Sequence, residues 1–180
     1  MAGSGLREQL GINVRSSSYG QTALIANISP SEAHRGQAFE RFTENGPLAL
    51  LPLPENRCAL VWTRNGSDAE RLRDLPDAAF LAELQEAFGY RLGTLRQVGV
   101  RYGYPLSLTE ADEQIRPHLV VLGNAAHSLH PIAGQGFNLS LRDAKALGDR
   151  LLLEDAAPGD FAVLQRYLDG QRLGIGEQPG

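Results

Sequence analysis

The sequence predicts an α+β chain in which a mostly antiparallel sheet with helices is joined to a partial Rossmann-like α/β portion. Three observations lead there. Short alternating apolar runs punctuated by Asn-Gly and Pro fill residues 19–65, a 3-4 spaced apolar stripe follows at residues 77–89, and the non-alternating run "HLVVLG" leads through a small-residue loop into a long helical pattern. With 180 residues, 42% of them hydrophobic and 21% charged, the chain has apolar surface for one sizeable core or two small ones.

Taken in order, "MAGSGLREQLGI" opens with Gly3-Ser4-Gly5 and runs straight into a short helical stretch with no strand before it, so the chain reads as one entered midway. In "YGQTALIANIS", Thr22, Leu24, Ala26 and Ile28 share one face, and "GQAFERFT" alternates Ala38 and Glu40 with Phe39 and Arg41. "ENGPLALLPLP" and "RCALVWT" add two more runs, with Pro52, Pro54 and Asn56 between them as turn formers. A meander of about four strands is expected. In "DAAFLAELQEAFG" Phe80, Leu81, Leu84, Ala87 and Phe88 form one buried helical stripe that stops at Gly89. "VGVRYGYPLSL" reads as a single strand with Val98, Val100, Tyr102 and Tyr104 covering one sheet face and Pro105 marking an edge or an end.

The run "HLVVLG" has the pattern of a strand covered on both faces, typically a parallel one. Beyond the loop, Phe137, Leu141, Ala144, Gly148 and Leu151 trace one helical face and Asn138, Arg142, Lys145 and Asp149 the opposite one, which predicts a helix from Gln135 to about Leu153. A second helix over "DFAVLQRYLDGQRL" follows the Pro158-Gly159 break.

Seventeen Lys and Arg against 21 Asp and Glu give a formal charge of −4, with the basic residues scattered, so a nucleic-acid partner is not expected. Cys58 has no second cysteine to pair with, and neither a signal peptide nor a bilayer-length apolar run is visible, so a cytoplasmic setting is the default expectation.

The loop of Gly123 to Gly136 lies between a strand end and a helix start, where open α/β sheets bind ligands. Gly123, Ala125, Ala126, Ala133, Gly134 and Gly136 let a flat or bulky group approach the backbone, and Pro131 fixes the chain beside it. The first-turn N–H groups near Gly136, Phe137 and Asn138 offer donors to an anionic or electron-rich ligand. A plain flexible helix start at Gly134-Gln135-Gly136 is the competing reading. His127 and His130 form H-x-x-H without a Glu after the first or further ligands nearby, so structural zinc is not expected, and Ser128 lacks the elbow of a nucleophile.

The run "LVVLGNAAHSLHPIAGQGFNLSLRDAKAL" resembles the second flavin-binding motif of the class A FAD-dependent aromatic hydroxylases, G-D-A-A-H, then Pro, then G-x-G-x-N and an Asp in the helix. Its wording, with "AFERFTENGPLALLPL" and "YPLSLT" upstream, is similar to the ubiquinone-biosynthesis branch, in particular the 2-polyprenyl-6-methoxyphenol hydroxylase group. The likeness extends from about Ser4 to Tyr167. It implies a cofactor site at Gly123, Asn124, Ala125, Pro131, Gly134, Gln135, Gly136, Phe137 and Asn138 and assigns no catalytic residue. Asn124 would lie near the ribityl and pyrophosphate part of FAD, Pro131 by the reactive edge of the isoalloxazine, and Gly136 to Asn138 at the pyrimidine ring. The family's commonest residue at the Asn124 position is Asp, though the ubiquinone branch also shows Asn.

"SGLR", Ser4 to Arg7, resembles the end of the family's D-G-x-x-S-x-x-R element, while the family's first flavin motif, G-x-G-x-x-G, does not occur in the chain. The resemblance therefore implies a truncated piece: residues 1–18 a remnant of a FAD-domain segment, 19–110 a substrate-binding β-sheet domain, 111–180 a partial FAD-binding segment. Such a piece is expected to be inactive alone and to self-associate through an apolar strand at Leu119 to Leu122.

As a complete protein, the resemblance implies a FAD-dependent monooxygenase that hydroxylates a prenylated phenol in ubiquinone biosynthesis with NAD(P)H and O2, cytoplasmic or peripheral at the inner membrane, alone or in a biosynthetic complex. Leu48, Leu50, Leu60 and Trp62 suit a prenylated ring or ordinary core packing equally. The alternatives are a related flavin-dependent reductase or halogenase and a non-catalytic α+β binding module.

Overall fold

In the computed structural model of the chain, residues 5–128, 135–153 and 157–176 are described, with the backbone alone at 128, 135 and 172–176. They form two compact units, residues 18–106 and residues 1–17 with 107–180.

The alternation in the first long run does make a strand: β1 (Val14–Pro30) buries Leu24, Ala26 and Ile28. β2 (Phe39–Thr43), β3 (Gly46–Leu53) and β4 (Arg57–Asn65) follow as antiparallel neighbours. The order is β2-β3-β4-β1, so β1 pairs with β4, Leu24 opposite Trp62 and Ile28 opposite Cys58, and the simple meander is corrected at its first strand. The connection between β1 and β2 explains this. His34 in that connection reaches the carbonyl of Leu53 at 2.9 Å through Nε2 and donates its backbone N–H to Asn56 Oδ1 at 3.1 Å, which pins the segment to the β3–β4 turn.

Helices α2 (Gly66–Asp74) and α3 (Asp77–Phe88) cover this sheet, and Ala69, Leu72, Phe80, Leu84 and Phe88 share one core with Leu24, Leu48, Leu50, Leu60 and Trp62. Of the latter set, Leu48, Leu50 and Leu60 are 0% and Trp62 2% exposed, so they are packing residues and line no substrate surface. Gly89 stops α3 at φ 82°. Within the apolar stripe Gln85 is buried but satisfied: it donates to the carbonyls of Gly89 (2.7 Å) and Gly93 (3.2 Å) and accepts from Leu95 N–H (2.8 Å).

The stretch read as one strand is two. β5 (Leu95–Val98) pairs with β1, and β6 (Tyr102–Ala111) begins after a break in which Gly99 N–H bonds the carbonyl of Asn27 at 2.8 Å and Arg101 turns to Asp77 at 2.9 Å. Val100, Tyr102 and Tyr104 are 71%, 54% and 55% exposed, so these tyrosines do not cover the sheet.

In the other unit α1 (Gly5–Gln9) precedes β1, and β7 (Ile115–Arg116), β8 (Leu119–Val120), β9 (His127–Ser128), α4 (Gln135–Leu153) and α5 (Phe161–Gly176) follow β6. Here "HLVVLG" departs from expectation. Pro117 and His118, the latter at φ 62°, fold the chain back so that β8 pairs antiparallel with β7 in a two-stranded sheet, instead of lying parallel inside a larger one. Leu119 packs with Ile12, Ala111, Val121 and Ala126, Val120 with Ile115, Leu164 and Leu168. The apolar strand invoked for self-association is thus already covered on these sides.

Both C-terminal helices form where their periodicity put them. The inward face of α4, however, is not the apolar stripe traced by Phe137 and Leu141, which are 70% and 53% exposed; Asp143, 3% exposed, points inward instead. Among the described residues no helix is long and apolar enough to cross a membrane.

Candidate functional site

The residues singled out in the sequence lie around the start of α4. After β8 the chain makes a 3-10 turn at Gly123–Ala125, entered from extended Leu122 and closed by Ala126 N–H on the carbonyl of Gly123 at 2.9 Å. Gly123 sits at φ 58°, and a Cβ there would meet Ser140 Oγ of α4 at 3.1 Å, so glycine serves both the left-handed turn and the close approach to the helix. Ala126 is buried, its carbonyl accepts from Ala111 N–H at 2.7 Å, and β9 pairs with β6 through Thr109–Ser128 and Glu110–His127.

Arg7 reaches this turn from far along the chain. It is 7% exposed, and its Nη1 donates to the carbonyl of Ala125 at 3.1 Å. Arg7 is the Arg of "SGLR", outside the residues expected at the site, and that motif was its signal in the sequence.

At the other side of the site α4 starts at Gln135 with no acidic residue in its first turn, so the partial positive charge of its N–H groups is not cancelled locally. Among the described residues a Cβ at Gly136 would find no atom within 4 Å beyond its chain neighbours and its own helix backbone, and Asn124, Phe137 and Asn138 are exposed. Ser140 Oγ donates back to the carbonyl of Gly136 at 2.8 Å, which keeps that hydroxyl away from the open side. Of the predicted residues, Gly123, Asn124, Ala125, Gly136, Phe137 and Asn138 lie around one turn–helix juncture. Gln135 is described as backbone only, and Pro131 and Gly134 lie outside the described residues.

His127, the first histidine of H-x-x-H, faces Asp143, with Nε2 and Oδ2 3.2 Å apart; His130 lies outside the described residues. Among the described residues no group of three or more His, Cys, Asp or Glu is placed to hold a metal ion. Elemental analysis of purified protein is expected to show no stoichiometric zinc; zinc lost together with the fold on chelation would overturn this expectation.

Residues 2–175 match the family described as FAD binding domain. The chain is 42% identical over 167 residues to ubiquinone hydroxylase UbiL of Rhodospirillum rubrum, covering 91% of this chain and 39% of that protein. It is 33% identical over 169 residues to 3-demethoxyubiquinol 3-hydroxylase of Escherichia coli, covering 92% of this chain and 43% of that one. The chain therefore spans less than half the length of these curated relatives. Among solved structures, PqsL of Pseudomonas aeruginosa in complex with 2-aminobenzoylacetate is similar, with a TM-score of 0.67 at 25% identity over 94% of this chain and 48% of that one. The flavin-dependent halogenase CmlS shares the fold, with a TM-score of 0.66 at 18% identity over 94% of this chain and 32% of that one.

Proposed function

From the premise that the chain belongs to the FAD binding domain family, we propose that it forms the ring-side half of a FAD site and the substrate-domain sheet of a class A monooxygenase. The observation that carries this reading is the start of α4, with no acidic residue in its first turn, space at Gly136 among the described residues, and the Gly123 turn pressed against Ser140. Those features suit a flat, electron-rich ring approaching helix N–H groups, so the residues present fit the cofactor.

In this reading the N–H groups of Gly136, Phe137 and Asn138 would donate to the pyrimidine edge of the flavin, and the Asn124 amide would bond hydroxyls of the ribityl chain near the pyrophosphate. Gly123 and Ala125 give the backbone its path, and the proposed cofactor set also includes Gln135 and, outside the described residues, Pro131 and Gly134. Arg7 holds the Ala125 carbonyl and with it the turn. When bound, FAD supplies the redox chemistry that takes electrons from NAD(P)H and delivers oxygen from O2 to a ring carbon. The first-turn amides of α4 would be held ready to stabilise negative charge on such a ring, a preorganised effect that needs no rearrangement.

The substrate in this proposal is a prenylated phenol of ubiquinone biosynthesis, of the kind taken by the 2-polyprenyl-6-methoxyphenol hydroxylase group. The names of UbiL and of the Escherichia coli hydroxylase support that choice. A lipid-soluble substrate would be met at a membrane surface, so the proposal includes peripheral work there by a cytoplasmic protein. The full-length protein is expected to purify with a flavin spectrum and to place isotopically labelled oxygen from O2 into a prenylated phenol when given NADH or NADPH. Colourless protein with no FAD uptake would overturn the reading in favour of a binding module. Flavoprotein that reduces or halogenates such rings without incorporating oxygen would replace hydroxylation by the corresponding activity.

A further inference from the structure

We draw no further inference here: the strongest candidate, the apolar face of the residue 18–106 sheet opposite α2 and α3, on which Phe42 and Leu51 are exposed, carries nothing, because nothing in the structure shows what covers it and a substrate seat on this sheet would restate an established property of the family.

Discussion

Gly136→Val in the full-length protein is expected to empty the flavin site while leaving the fold intact. The two halves of that expectation come from different observations. Among the described residues a Cβ at Gly136 meets no atom within 4 Å beyond its chain neighbours and its own helix backbone, so they leave room for a branched side chain. Glycine is a poor helix former and valine a better one, so the first turn of α4 loses nothing by the change. What valine does obstruct is the backbone surface that the ring is proposed to approach. Losing that approach should raise the Kd for FAD on the order of a hundredfold, with each 1.4 kcal/mol counting tenfold. Flavin-to-protein ratio by absorbance, set beside a thermal melt, checks both halves. Gly123→Val is the instructive contrast: at φ 58° and with Ser140 Oγ 3.1 Å from its Cβ, it should lower stability and flavin content together. Normal flavin content in Gly136→Val would show that this juncture does not hold the ring.

Where the sequence was legible, a local signal sufficed. α3 stops at Gly89, α4 runs from Gln135 to Leu153, and α5 follows Pro158-Gly159, because a 3-4 apolar repeat bounded by Gly or Pro specifies a helix without reference to the rest of the chain. The failures needed distant partners. α2 went unread because "GSDAERLRD" is mostly polar; only Ala69 and Leu72 are buried, and Asp68 is bound by both Arg64 and Arg71, the latter also holding Glu83 of α3 at 2.7 Å. "HLVVLG" was misread because a short apolar run fits a central parallel strand as well as a two-residue hairpin arm, and only the turn at Pro117-His118 decides.

The site divides in the same way. Its small residues and helix start were visible as a motif. The inward face of α4 was not, because apolar periodicity favoured Phe137 and Leu141, while the helix turns Asp143 toward His127. Arg7 and Ala125 are 118 residues apart, a contact that no window along the chain can reveal.

Phe80→Ala is expected to give the largest loss of stability in the residue 18–106 unit. Phe80 is fully buried, its ring lies 6.0 Å from that of Trp62 at 68°, and the Arg101 guanidinium sits 4.9 Å from its centroid on the way to Asp77. Truncation therefore opens a cavity beside the indole and uncovers the face on which Arg101 rests. A loss of about 3–5 kcal/mol is expected for such a change, a large fraction of the roughly 5–15 kcal/mol that holds a typical domain together. Trp62 is the only tryptophan in the 180 residues and is 2% exposed, so its emission reports on this core directly. In urea the midpoint followed by that emission should fall with little change in slope. Phe80→Leu, which keeps more of the volume, should fall less far. Arg101→Met, which covers the ring but removes both the charge over it and the ion pair with Asp77, should cost about 0.5–2 kcal/mol. A midpoint for Phe80→Ala equal to that of the parent chain would mean that Phe80 does not anchor α3 to the sheet.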